Sequence, residues 1–105
     1  MGKIDKFLAK EQEVEIGEEK YMLKPFTVND MSVMTRMGSK DEGIQAKAIQ
    51  DAIFIIMKQI DPEATREQIN NISIEFLTDI MNAMSKVNNL DMDEAKAKLL
   101  KRINK

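Results

Sequence analysis

The side chains able to do chemistry in this chain are carboxylates, lysines and hydroxyls, because its 105 residues include neither histidine nor cysteine. Their absence removes the commonest general base, the commonest nucleophile and the usual transition-metal ligands. It also removes disulfides, which fits a reducing compartment. The densest carboxylates are Glu11, Glu13, Glu15, Glu18 and Glu19. A hard cation needs about six oxygens converging on one point, usually from a loop, whereas these acids alternate along a predicted strand and face outward. Asp91-Met92-Asp93-Glu94 begins like a calcium loop, yet Ala95 stands where a third ligand belongs and Lys96 where the glycine belongs. Gly17, Gly38 and Gly43 match no phosphate-binding spacing. The sequence therefore predicts no catalytic residue, no cofactor and no metal, and reads as a protein that works by binding another protein.

Charge narrows the partner. Lys96, Lys98, Lys101, Arg102 and Lys105 load the last ten residues with cations and no acid. Cations in a final helical turn are what the helix dipole favours, and no aromatic residue is interleaved for base stacking. With 16 basic and 18 acidic residues the net charge is −2 and the pI is about 5.2, so no nucleic-acid partner is expected. The segment from Met1 to Phe7 alternates charged and apolar residues and lacks the apolar stretch of a signal peptide. Lys6 stands where myristoylation of Gly2 wants Ser or Thr. The longest apolar run, residues 52–57, is too short to span a bilayer. These features predict a cytoplasmic protein with no membrane partner.

Methionine is the suggestive residue: nine in 105, with Met31, Met34 and Met37, and again Met81 and Met84, at i, i+3 spacing. Flexible thioethers suit a surface that repacks around apolar segments. They equally fill gaps in a core that has four Phe, one Tyr and no Trp.

The elements that position these residues follow from period and caps. Ile4, Phe7 and Leu8 suggest a short N-terminal helix or ordered arm. Alternation over about 12–24 predicts a β-hairpin turning at Gly17-Glu18, with Val14, Ile16, Tyr21 and Leu23 on one face and Glu13, Glu15, Lys20, Met22 and Lys24 on the other. Thr27 caps a helix from Val28 to Gly38, with Asp30 three residues on. A second helix runs from about Asp41 to Ile60, stopped by Asp61-Pro62; its Ile53-Phe54-Ile55-Ile56-Met57 segment is apolar all round, which predicts a surrounded helix. Thr65-Arg66-Glu67-Gln68 is a capping box for a short helix, and Ser73 caps an amphipathic one whose apolar side holds Ile74, Phe76, Leu77, Ile80, Met81, Ala83, Met84 and Val87. Asp91 and Glu94 open a last helix carrying Met92, Ala95, Leu99, Leu100 and Ile103. The expected fold is α+β, predominantly α: one domain over 1–105, an N-terminal β-hairpin packed on about five helices spanning about 28–104.

In order and spacing, EVEIGEEKYMLKPFTVNDM over 13–31 and DPEATREQINNISIEFLTDI over 61–80 resemble the tail assembly chaperones of long-tailed bacteriophages and prophages, particularly the small XkdN-like group. The shared marks are a strand ending at Leu23-Lys24-Pro25-Phe26-Thr27 before a helix opened by Val28-Asn29-Asp30, then a proline-led turn with two successive capped helices. The resemblance implies a chaperone that coats the tape measure protein, keeps its apolar stripes from aggregating, and leaves as tail tube subunits polymerise. A structural tail completion or connector subunit is the alternative. The partner-binding residues expected are Met31, Met34 and Met37, with Leu99, Leu100 and Ile103 on the last helix, and self-association through the same apolar surface is a related expectation.

Overall fold

A computed structural model describes residues 2–89; the expected last helix, with Leu99, Leu100 and Ile103, lies outside the described residues. A 3-10 turn (Lys3–Phe7) precedes strands β1 (Gln12–Ile16) and β2 (Glu19–Leu23). A second 3-10 turn (Val28–Asp30) leads into α1 (Met31–Met37) and α2 (Glu42–Ile60), followed by α3 (Arg66–Asn70), a third 3-10 turn (Ile74–Phe76) and α4 (Leu77–Asn88). The fold is α+β and mainly α, with an antiparallel hairpin leading the helices.

The hairpin has the expected register and faces. Val14 pairs with Tyr21 and Ile16 with Glu19 across the ladder. Gly17 and Glu18 both take positive φ, at 60° and 70°, the two-residue turn whose twist matches that of the strands. Val14, Ile16 and Leu23 are buried and Tyr21 half-buried, while Glu13, Glu15, Lys20 and Met22 are exposed. Two strands alone are marginal in water, and here β1 rests on α4 and β2 on α2.

Local chemistry sets the helix ends. The Asp41 carboxylate accepts the Ile44 N–H at 3.0 Å to open α2, and extended backbone at Asp61, before Pro62, closes it. At α3 the Thr65 hydroxyl accepts the Gln68 N–H at 3.1 Å while the Gln68 side chain accepts the Thr65 N–H at 2.9 Å. Asn89, at φ 51°, ends α4. Thr27 and Asp30 do meet, through Thr27 N–H to the Asp30 carboxylate at 2.9 Å, yet the turn they cap is 3-10 and α-helix begins only at Met31. Likewise the N-terminal stretch is a 3-10 turn with no buried residue, being too short to repay helix nucleation.

The core joins Leu23, Ile56, Ile80, Met81 and Met84, all at most 2% exposed, with Val14, Ile49 and Val87 around them. Two expectations are corrected. α2 buries one side through Ala48, Ile49, Ala52 and Ile56, whereas Ile53, Phe54, Ile55 and Met57 are half-buried and Ile44 is exposed; among the described residues the layers packed on α2 do not enclose it. Ile74 and Phe76 leave the buried stripe of α4 because residues 74–76 form a 3-10 turn, which advances about 120° per residue instead of about 100°.

Candidate partner-binding surface

The three methionines of α1 part company. Met31 is 59% exposed, Met34 36% and Met37 only 9%. An i, i+3 step falls about 60° short of a full helical turn, so two steps carry Met37 about 120° away from Met31. Met37 thus belongs to the core and is no part of an exposed binding face, correcting the expectation that all three act together. Its main-chain oxygen, at the end of α1, accepts a hydrogen bond at 3.0 Å from Nε2 of Gln45, the buried polar side chain of α2. Leu99, Leu100 and Ile103 lie outside the described residues.

Going the other way from Met31, the 3-10 geometry of the preceding turn keeps residue i−3 in line. Val28, 83% exposed, therefore extends the Met31 and Met34 face. Val28 also lines an open groove of about 450 Å³ whose other walls include Pro25, Phe26 and the N-terminal turn residues Ile4, Phe7 and Leu8. Those three are 65%, 72% and 58% exposed. A run of apolar surface thus extends from the N-terminal turn across the β2–α1 connection onto α1. Phe26 is held at its floor, its N–H donating to Oδ1 of Asn88 at 2.6 Å. A second apolar cleft, about 230 Å³, opens between α2, α3 and the start of α4, among Ile49, Ile53, Ile69, Ile72 and Leu77.

An ion cluster fixes α1 against α2 and α3. Asp51 receives Arg36 Nη1 at 3.2 Å, Arg66 Nη1 at 3.1 Å and Lys47 Nζ at 3.8 Å. Arg66 also stacks on Phe54, its guanidinium carbon 4.1 Å from the ring centroid. Burial pushes the Asp51 carboxyl upward, but hydrogen bonds from Arg36 and Arg66 and the charge of Lys47 outweigh it and hold the group below its ordinary range. Three cations converge on one carboxylate, an arrangement that ties three helices together at Asp51.

The hairpin acids are exposed; Glu13 pairs with Lys20 at 3.6 Å and Glu19 accepts the Tyr21 hydroxyl at 2.9 Å. Among the described residues no three acidic side chains gather where a metal could be held, and no described helix is long and apolar enough to cross a membrane. Comparison with protein-family models, curated proteins and solved structures gives no match to this chain. Sequence reasoning singled out Met31 and Met34 but not the Val28 and Phe7 side of the groove. The available signal was apolar residues in a segment too short to bury them.

Proposed function

We propose that this chain is a non-catalytic tail assembly chaperone of the bacteriophage type, binding the tape measure protein in the host cytoplasm until the tail tube forms around it. The observation that carries this reading is the exposed apolar run from Ile4, Phe7 and Leu8 through Val28 to Met31 and Met34. Scattered apolar side chains are ordinary on a protein surface, but a contiguous patch beside a groove marks an interaction site. A groove of this kind suits an amphipathic helix laid in by its apolar side. Exposed methionine on α1, following Val28 in the chain, adapts to successive segments of a long, irregular stripe. The order of hairpin, proline-led turn and capped helices, described above as family-like, supports the same reading.

The test is co-expression with a bacteriophage tape measure protein, followed by pull-down and a solubility assay. Co-purification with rescued solubility, both lost in the double variant Met31→Asp, Met34→Asp, supports the chaperone. No complex, with the chain instead present in finished particles, overturns it in favour of a structural tail completion or connector subunit.

A further inference from the structure

Asn88 links the end of α4 to the groove. Its Oδ1 accepts the Phe26 N–H at 2.6 Å, and Phe26 walls the groove of about 450 Å³ together with Val28, Ile4, Phe7 and Leu8. The described residues therefore stop beside that groove, because α4 closes at Asn88 and the next residue, Asn89, takes φ 51°. A left-handed residue at this position stops the helix and turns the chain off its axis. Residues 90–105 lie outside the described residues, and their sequence has an apolar stripe: Met92, Ala95, Leu99 and Ile103 recur at steps of three, four and four, with Lys96, Lys98, Lys101 and Arg102 between them. A stripe of that kind needs a surface to cover it. Extended chain advances at most about 3.6 Å per residue, so Met92 comes no further than about 11 Å from Asn89. The other apolar cleft is built on Leu77 and Ile80, the first turn of α4, and the 12 residues of that helix set it about 18 Å from the exit. The groove at Phe26 is the nearer apolar surface.

We propose that segment 90–105 of this same chain covers the groove by its apolar stripe, and that a partner helix enters only by displacing it; the displacement rests on the binding role above. The tether makes the docking intramolecular, at an effective concentration near the millimolar range, so modest apolar contact suffices to shield Phe7 and Val28 from water. A partner with a longer stripe buries more apolar surface and takes the groove. The segment thus sets a threshold that short or weakly apolar helices do not pass.

The chain has no cysteine, so a spin label on Lys98→Cys, between the apolar positions of the segment, is unique in the full chain. The expected result is nuclear magnetic resonance broadening of the Phe7, Leu8 and Val28 amides that persists on dilution with unlabelled native chain. Broadening at Ile53, Ile69 and Ile72 instead, or at no described residue, overturns the proposal. Broadening that dilution abolishes assigns the groove to a second copy and overturns it too. A leucine-striped amphipathic peptide followed by fluorescence polarisation should bind the double variant Leu99→Asp, Ile103→Asp about tenfold tighter than the native chain, the factor for a groove covered about nine-tenths of the time. Equal or weaker binding overturns the cover. If the label reports docking but the tape measure protein co-purifies with neither chain, the cover stands and the chaperone reading falls. If the tape measure protein co-purifies and the label reports no docking, the cover falls alone.

Discussion

The N–H of Gly17 donates to Oδ2 of Asp79 at 3.0 Å, tying the hairpin turn to the first turn of α4 across 62 residues of sequence. At the other end of α4, Asn88 receives the Phe26 N–H at 2.6 Å, and between them Lys86 donates to the Glu13 carbonyl at 2.9 Å. The hairpin is thus pinned along the length of α4, and the groove floor at Phe26 is placed by that clamp. Asp79→Ala should cost about 1 to 2 kcal/mol, the usual penalty for stranding a part-buried N–H and losing a charged acceptor. Urea unfolding checks this, with Glu75→Ala, exposed and outside the clamp, expected to change stability little.

Glu18 sits at φ 70° without being glycine. Left-handed backbone strains most side chains by about 1 to 2 kcal/mol, and Asn tolerates it best. Glu18→Asn should therefore stabilise the protein by roughly 0.5 to 1 kcal/mol, read as a melting temperature a few degrees higher. Gly17→Ala should do the reverse, since Gly17 is at φ 60° and an added Cβ would lie 3.1 Å from the Phe76 ring.

Asp51 gives a pH signature. Its carboxyl is held below the ordinary range in the folded protein, so the ionised form stabilises the fold. That stabilisation is fully present above the unfolded value of about 3.9 and is lost as pH falls through the folded one. Asp51→Asn should be about 1 to 2 kcal/mol less stable at neutral pH, with the gap to the native chain closing below about pH 4. Thermal melts from pH 7 to pH 3 measure it; a constant gap would show that the ion cluster holds nothing together.

The α1 methionines should separate stability from binding. Met37→Ala, emptying a buried site, should cost about 2 kcal/mol or more, while Met31→Ala and Met34→Ala should each cost well under 1 kcal/mol. Partner capture should follow the opposite order, falling for Met31 and Met34 and, where folding is retained, little for Met37.

At the α3 cap, the start of α2 and the hairpin, local rules and the structure agree. Thr65 and Gln68 cap the helix they were expected to cap, and α2 opens at Asp41 where it was expected to begin, since a side chain reaching an N–H three residues away needs no distant partner. The hairpin faces follow from strict alternation. Periodicity misled twice: it put Ile74 and Phe76 into the α4 stripe although they lie in a 3-10 turn, and within α1 it grouped Met37 with Met31 although two i, i+3 steps turn them about 120° apart.

By itself the sequence determined the hairpin, the spans of α2 and α3, and the lack of the residues on which most catalysis depends, because composition, period and capping act over a few neighbours. Only the tertiary structure decided which apolar side chains remain outside. Whether Phe7, Val28 or Met31 is covered depends on Asn88 holding Phe26 and on Gln45 holding the end of α1, contacts between residues far apart in the chain whose geometry no local spacing encodes.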